Sequence, residues 1–145
     1  MAFDDPEGWT IYRKVVDETR NDPDIHIFTN LIGAGNIEVN AFQRLSQVII
    51  QKSLREGFGL AVSEAMWKAT PVVGGKAGGI PLQMADGAGG ILVENTEQRA
   101  DAVCTLLKDT DRAHELAERG RERVRWQFTF HFPVTVAAFC AEPAR

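Results

Sequence analysis

Three short apolar runs, each followed by a helical pattern, constrain the fold more than any other feature of this chain. The runs are QVIIQ from residue 47, PVVGG from residue 71 and GGILVEN from residue 89, and DIHIFTN from residue 24 predicts one further strand before them. Short, almost continuously apolar strands that alternate with helices are typical of a parallel sheet covered on both faces. The sequence therefore predicts an α/β fold, a single Rossmann-like parallel sheet with helices on both faces.

Helical patterns fill most of the chain between and after these runs. They begin at PEGWTIYRKVVDETR (from residue 6), NIEVNAFQRLS (from 36) and SEAMWKAT (from 63), and continue in two amphipathic stretches at 96–109 and 111–126. A last apolar segment runs from Phe128 to Phe139. In folds of this kind the loops after the carboxyl ends of the strands form the ligand crevice. We therefore look for a site in the glycine-rich loops that follow the apolar runs.

Composition excludes several classes of function. The formal net charge of −4, from 16 basic and 20 acidic residues, disfavours a nucleic-acid partner, which usually meets a basic stripe. No apolar run approaches the roughly 20 residues that span a bilayer, and the start MAFDDPEGW is too acidic for a signal peptide, so we expect a cytoplasmic protein without a membrane partner. Cys104 and Cys140 lack metal-like spacing, and we expect reduced thiols in apolar surroundings and no metal site.

Two acids flank a Gly-Phe-Gly turn in LREGFGLAVSEAMW, residues 54–67. In one continuous helix, Glu56 and Glu64 would lie about 12 Å apart along the axis and about 80° apart around it. Gly57 and Gly59 would each cost about 1 kcal/mol in the interior of such a helix. A strand to about Gln51, a loop through Gly59 and a helix from about Leu60 fit the sequence better.

This strand–loop–helix reading predicts a site with three chemical features. The amides of residues 58–61 point out of a helix N-terminus, where a phosphate or diphosphate binds, and the glycines let backbone approach the ligand closely. Two carboxylates accept hydrogen bonds from hydroxyl groups, as on a ribose or a hexose. A nucleotide sugar offers all three partners. Solvated acids of a loop and a helix start explain the same spacing, and the pattern alone leaves both interpretations open.

A longer segment of the chain resembles a known family. EGFGLAVSEAMWKATPVVGGKAGGIPLQMADGAGGILV is similar to the signature region of the retaining GT-B glycosyltransferases, a group that includes sucrose synthases and bacterial glycogen synthases. Within that group DDPEGW, TNLIG, VNAFQR and REGFGLAVSEAMWK most resemble the trehalose glycosyltransferring synthases, which join glucose from a nucleoside-diphosphate glucose to free glucose with retention of configuration. The resemblance runs from about Asp4 to about Trp126.

The resemblance implies a role for each matching position. Glu56, the implied catalytic residue, would hydrogen-bond the donor hexose, and Glu64 would hold the ribose hydroxyls. The backbone amides that would contact the sugar and the distal phosphate are those of Gly57, Phe58, Gly59 and Leu60. The positions that would contact the base are Asn30, Leu31 and Ile32. The donor would be UDP-, ADP- or GDP-glucose, with no metal and no further cofactor.

Neighbouring residues have two interpretations each. Leu60 and Val62 would pack under the nucleotide, although Val62 fits an ordinary core position equally well. Gly78 and Gly79 are expected to form a tight turn beside the site, in a structural role. Lys52 and Arg55 would add positive charge near the phosphates. The alternative is that they are ordinary exposed basic residues of the loop, which are common in proteins.

The resemblance covers only the C-terminal half of a GT-B fold. We expect a partial donor-binding domain at 1–126, without that half's first strand and its diphosphate-binding Arg and Lys, and a segment at 127–145, with Pro133 in it, that packs on a partner. On this basis the chain alone would be inactive as a transferase, would meet an acceptor sugar only beside an N-terminal domain, and would form a homodimer or larger assembly. The alternative is a truncated, noncatalytic nucleotide-sugar-binding or assembly module.

Overall fold

Three parallel strands form the sheet, and the apolar runs of the sequence supply all three. The structure, a computed structural model, describes residues 6–20, 22–29 and 33–131. The strands are β1 (Ile49–Gln51), β2 (Val72–Gly75) and β3 (Gly90–Val93), in the order β1-β2-β3. Their register pairs Ile49 with Val72 and Val72 with Gly90. The predicted parallel α/β sheet is confirmed.

Helices occupy the segments in which helical patterns were predicted, and two short turns within residues 80–87 are helical although the sequence analysis predicted no helix there. They are α1 (Pro6–Thr19), α2 (Asn36–Leu45), α3 (Leu60–Trp67), a single turn α4 (Ile80–Gln83), α5 (Thr96–Lys108) and α6 (Thr110–His131), with a 3-10 turn at Ala85–Gly87. The boundary between α5 and α6 follows from one residue. Asp109 ends α5, and its carboxylate accepts a hydrogen bond from the Arg112 amide in the first turn of α6 at 3.0 Å. A side-chain oxygen in this place satisfies an amide that has no partner within the helix.

The core lies on both faces of the sheet because successive residues of β2 point in opposite directions. Val72 belongs to a buried cluster with residues of α3, α4 and α6, and Met66 and Val124 are among its members. Val73 belongs to a second cluster with residues of α5, of which Leu106 is 2% exposed. The two clusters fix β2 at the centre and confirm that helices cover both faces of this sheet.

The chain divides into two compact units, Met1–Ala41 and Phe42–Arg145. The first contains α1, where the rings of Trp9 and Tyr12 make an edge-to-face contact with centroids 6.0 Å apart. The second contains the whole sheet and helices α3 to α6. The sheet, its loops and both core clusters therefore belong to a single unit.

Two expectations are corrected by the described residues. DIHIFTN does not form a strand at Ile25–Thr29; the Ile25 amide instead donates to the Asp22 carbonyl in a turn at 3.3 Å. A strand needs a neighbour to complete its ladder, and the described part of the unit Met1–Ala41 contains no other strand. Cys104 is exposed on α5 as a free thiol rather than in apolar surroundings. Cys140, Pro133 and most of the segment 127–145 lie outside the described residues.

Among the residues that the structure describes, no helix is both long enough and apolar enough to cross a membrane.

Candidate functional site

The candidate site lies where the chain leaves the strands. Because all three strands are parallel, their carboxyl ends share one edge of the sheet. β1 ends at Gln51 and leads into the loop 52–59, and β2 ends at Gly75 and leads into a turn at residues 76–79. The two connections touch, since the Gly79 amide donates to the Gly57 carbonyl at 2.7 Å. The acid-flanked loop therefore lies at the edge where α/β folds bind ligands.

Glu56 is half-buried in this loop and its carboxylate is held from three sides. Oε2 accepts from the Ser53 hydroxyl at 3.0 Å and from the Gln51 side-chain amide at 3.5 Å. Oε1 accepts from the backbone amide of Gly57 at 3.1 Å. These neutral donors fix the carboxylate without neutralising its charge. A carboxylate offers about four acceptor positions, so capacity for a hydroxyl group remains.

The helix α3 starts directly after the loop, as predicted. Gly59 is its N-cap with φ 86° and ψ 54°, a left-handed conformation that glycine adopts without strain, and its carbonyl accepts from the Val62 amide at 2.9 Å. No described side chain caps this helix, and its first turn contains no acid. The first turn of α3 thus places no acid at the positive end of the helix dipole, and the carboxylate of Glu56 in the preceding loop binds the Gly57 amide. Val62 itself is fully buried in the core, so its role is packing.

A glycine turn after β2 packs against the main chain of the loop. A Cβ at Gly78 would lie 1.8 Å from the Glu56 carbonyl oxygen, and one at Gly79 would lie 2.9 Å from the Phe58 carbonyl oxygen. Gly78 also has φ +51°. Backbone therefore packs on backbone here, and the predicted tight turn at Gly78 and Gly79 is confirmed. In contrast, a Cβ at Gly57 would meet nothing within 4 Å, so space is open beside that residue.

Gln83 is a site residue that the sequence analysis missed. It is 2% exposed at the end of α4, and its amide nitrogen donates to the carbonyls of Phe58 and Gly59. Its amide oxygen accepts from the buried hydroxyl of Ser63 on α3. One side chain thus joins α4, the loop and α3. The only signal in the sequence is a polar residue inside the otherwise apolar stretch IPLQM.

Glu64 lies in the second turn of α3 and is half-buried. Its Oε2 accepts from the side-chain amide of Gln43 at 3.0 Å. Gln43 in turn accepts from the Lys68 ammonium at 2.6 Å. The two acids of the sequence motif are therefore held by different groups, Glu56 by its own loop and Glu64 by α2. Whether one ligand contacts both stays a prediction.

The basic residues near this edge differ in their surroundings. Lys52 and Arg55 are exposed on the loop. Lys76, which follows β2, forms an ion pair with Glu94, which follows β3, with Nζ and Oε1 2.7 Å apart. The hydrogen bond from Lys76, and secondarily its charge, lowers the pKa of Glu94 below its usual 4.5. This pair joins the ends of two strands at the same edge of the sheet.

Six of the nine predicted site residues lie on the loop 52–59 and on α3. Gly57, Phe58, Gly59 and Leu60 are consecutive at the start of α3, and Glu64 lies one turn further on. Phe58 and Leu60 are 42% and 60% exposed. Asn30, Leu31 and Ile32, the implied base contacts, lie outside the described residues.

The fold and this edge define a class of protein. The structure resembles a sucrose-phosphate synthase from Thermosynechococcus elongatus with a TM-score of 0.72 and 27% identity, covering 86% of this chain and 32% of the other. It also resembles the C-terminal domain of LpcC, a glycosyl transferase group 1 family protein from Francisella tularensis, with a TM-score of 0.66 and 26% identity, over 88% of this chain and 65% of the other. The class is therefore the GT-B glycosyltransferases.

Family membership follows from the sequence. The family model of the glycosyl transferases group 1 matches residues 26–123, and the chain belongs to that family. A trehalose synthase from Rubrobacter xylanophilus is 55% identical over 128 residues, and one from Pyrococcus horikoshii is 48% identical over the same length. Each alignment covers 88% of this chain but only 30% and 31%, respectively, of those relatives. The chain thus spans under a third of the trehalose synthases that it matches.

Proposed function

We propose that this chain is the donor-binding part of a retaining glycosyltransferase of trehalose-synthase type, and that it binds a nucleoside-diphosphate glucose. The diphosphate would lie at the start of α3, against the backbone amides of residues 58–60, beside the Gly57 amide that donates to Glu56 Oε1. Glu64 would accept hydrogen bonds from the ribose hydroxyls, and Glu56 would accept them from the hexose. The two acids thereby fix the two ends of the donor.

The observation that carries this proposal is the conformation of the loop before α3. Gly59 turns the chain in a left-handed conformation into a helix whose start has no described side-chain cap and no acid in its first turn. A helix start of this kind favours an anion, because its amides and its dipole both point at it. The open space beside Gly57 lets a phosphate or sugar approach the backbone.

The positions of the two acids add a second support. A nucleoside-diphosphate glucose carries hydroxyl groups on both sides of its diphosphate. A site that binds it therefore needs hydrogen-bond acceptors on both sides of the anion site. Glu56 precedes the amides and Glu64 follows them by one helical turn, each held by neutral donors. In the described part of the chain neither carboxylate forms an ion pair, so each is suited to accept hydrogen bonds from the hydroxyl groups of a sugar.

Retaining transfer needs stabilisation of the departing diphosphate, and we propose that the start of α3 provides part of it. Backbone amides that already point at the site stabilise developing negative charge without reorganisation. We propose that Lys52 and Arg55, which are both exposed on the loop, add positive charge that stabilises the departing diphosphate. We expect the 145 residues alone to bind the donor without transferring its glucose.

Calorimetric titration of the chain with UDP-glucose, ADP-glucose and GDP-glucose tests the proposal. We expect one of the three to bind, and Glu64→Ala to weaken that binding by about 10- to 100-fold, the effect of losing hydrogen bonds to a charged acceptor. Glu97→Ala is the matched control, because Glu97 lies in the first turn of α5 instead. Absence of binding by all three donors, or an equal affinity in Glu64→Ala and wild type, contradicts the proposal.

A transfer assay on the same sample separates binding from catalysis. We expect no trehalose from the donor and glucose with this chain alone. Formation of trehalose would contradict the expected inactivity and leave the donor site intact as a proposal.

A further inference from the structure

Helix α2 buries a glutamine and exposes a leucine, which ordinary packing does not explain. Gln43 is the buried residue of α2 with 8% of its surface exposed, whereas Leu45, two positions later, is 83% exposed. Apolar side chains are usually the buried ones, and a buried amide must be hydrogen-bonded to offset its desolvation. The hydrogen-bond partners of Gln43 therefore explain why this side chain is buried.

Those contacts end at Glu64. The Gln43 amide nitrogen donates to Glu64 Oε2 at 3.0 Å, and its amide oxygen accepts from Lys68 Nζ at 2.6 Å. The Lys68 ammonium also lies 3.4 Å from the main-chain oxygen of Glu64 and can donate to it. The three side chains form one line, from ammonium through amide to carboxylate, which we call the Lys68–Gln43–Glu64 relay.

The chemistry of the two ends determines the orientation of the amide. An ammonium group only donates and a carboxylate only accepts, so only one of the two amide orientations satisfies both neighbours. Lys68 thereby directs the amide nitrogen of Gln43 at the carboxylate. A direct contact of Lys68 with the carboxylate would instead place a competing cation against the acceptor.

Gln43 is anchored independently of its side chain. The hydroxyl of Thr70, which is 3% exposed, donates to the main-chain oxygen of Gln43 at 2.6 Å. A substitution of the Gln43 side chain leaves this bond in place. The relay can therefore be interrupted while the main chain of Gln43 stays bonded to Thr70.

We propose that Gln43, oriented by Lys68, is the positioning residue that holds the Glu64 carboxylate for a pair of ribose hydroxyls. This inference rests on the proposed function, because it assigns a supporting residue to the same donor site. One amide occupies one acceptor position of the carboxylate and restricts its rotation, and the remaining positions face the ligand's hydroxyls. A fixed acceptor binds more tightly because less side-chain freedom is lost on binding.

The test compares a ribonucleoside diphosphate with its 2′,3′-dideoxy analogue, using whichever of UDP, ADP and GDP binds. We expect Gln43→Met, which keeps the length of the side chain, to weaken the ribose form about tenfold and the dideoxy form less than about twofold. In the Glu64→Ala background Gln43→Met should have no further effect, because its action passes through that carboxylate. Leu45→Ala, on the exposed face of α2, is the control and should change neither affinity.

The outcomes distinguish a failure of this inference from a failure of the proposed function. If Glu64→Ala discriminates between the two ligands and Gln43→Met does not, the positioning role is wrong and the donor site stands. Equal losses for both ligands in Gln43→Met indicate a purely structural role and overturn the proposal. If Glu64→Ala itself fails to discriminate, or no diphosphate binds, the ribose contact is wrong and this inference falls with it.

A second variant covers the case in which Gln43→Met does not fold. Lys68→Met frees the amide to turn without removing it, and we expect about a threefold loss for the ribose form alone. An unchanged affinity in a folded Lys68→Met chain contradicts the relay.

Discussion

Gly78 lies against the main chain of Glu56 so closely that a Cβ on it would be 1.8 Å from the Glu56 carbonyl oxygen. The contact joins the turn after β2 to the loop after β1 at one edge of the sheet. Because the neighbouring atom is backbone rather than a flexible side chain, neither partner can give way cheaply. The loop of the candidate site thus has its position set by a glycine twenty-two residues further along the chain.

We predict that Gly78→Ala destabilises the chain and weakens donor binding. The matched control is Gly87→Ala, since Gly87 has φ +70° but nothing within 4 Å of its Cβ. The control should lose about 1 kcal/mol of unfolding free energy from backbone strain alone, and Gly78→Ala should lose about 1–3 kcal/mol more from overpacking. Denaturant titration measures the free energy of unfolding of both variants. Equal losses in the two variants would show that the close contact is absent.

Gln83 is predicted to hold the same loop from the side of α4. Gln83→Leu removes the donor to the carbonyls of Phe58 and Gly59 and the acceptor for Ser63, and the bonds to Gly59 and Ser63 are buried. Leaving buried groups without partners should reduce the free energy of unfolding by about 1–3 kcal/mol.

The neighbouring substitution Leu82→Ala controls for changes in α4. Leu82 is 76% exposed, so its truncation should change stability by less than about 0.5 kcal/mol. If urea titration finds Gln83→Leu as stable as Leu82→Ala, the network around Gln83 does not contribute to the fold.

The proposed hexose contact of Glu56 predicts a selective loss of affinity. Glu56→Ala should weaken binding of the nucleoside-diphosphate glucose by about tenfold and leave the affinity for the sugar-free diphosphate within about twofold. Ser53→Ala is the control, because it removes one hydrogen bond to the carboxylate but keeps the carboxylate itself. Parallel losses for both ligands in Glu56→Ala, measured by calorimetry, would place Glu56 away from the sugar.

The ion pair between Lys76 and Glu94 predicts a pH effect with a definite sign. Lys76 lowers the pKa of Glu94 below 4.5, so the stability that the pair contributes is present above the unfolded-state pKa and is lost as pH falls through the folded-state pKa. In Lys76→Met, the pKa of Glu94 should rise toward 4.5.

Glu38 provides an internal reference for the same titration. Backbone hydrogen bonds, first its own and then that of Gly35, lower the pKa of Glu38, and Lys76 takes no part in them. An NMR titration of the side-chain carboxyl groups should therefore move Glu94 and leave Glu38 in place. An unmoved Glu94 would contradict the ion pair.

Sequence patterns were sufficient for the sheet and for the start of α3. QVIIQ, PVVGG and GGILVEN each contribute apolar side chains to both core clusters, although Ile50 of β1 is 50% exposed, so hydrophobicity indicates all three. Gly59 and the change from glycine-rich to helical residues place the start of α3 at Leu60, as predicted. Local conformational preference and burial agree in these segments, and their structure could be read from short stretches.

The parts that the sequence did not predict depend on distant partners. Gln43 and Gln83 look like ordinary polar residues of helical segments, and their roles arise from contacts with residues 21 and 20 or more positions away. The strand expected at Ile25–Thr29 failed for the related reason that a strand requires a neighbour. Pairings over such separations leave no local pattern in one sequence.

The central claim is that the backbone at the start of α3 binds the diphosphate of an activated sugar, and amide NMR tests it most directly in this 16.0 kDa chain. On addition of the nucleoside-diphosphate glucose that binds, the amide signals of Gly57, Phe58, Gly59 and Leu60 should shift most. The amide signals at the start of α5, which Asn95 caps with its own side chain, should stay in place. Unshifted signals at residues 57–60 in the presence of bound donor would contradict the account.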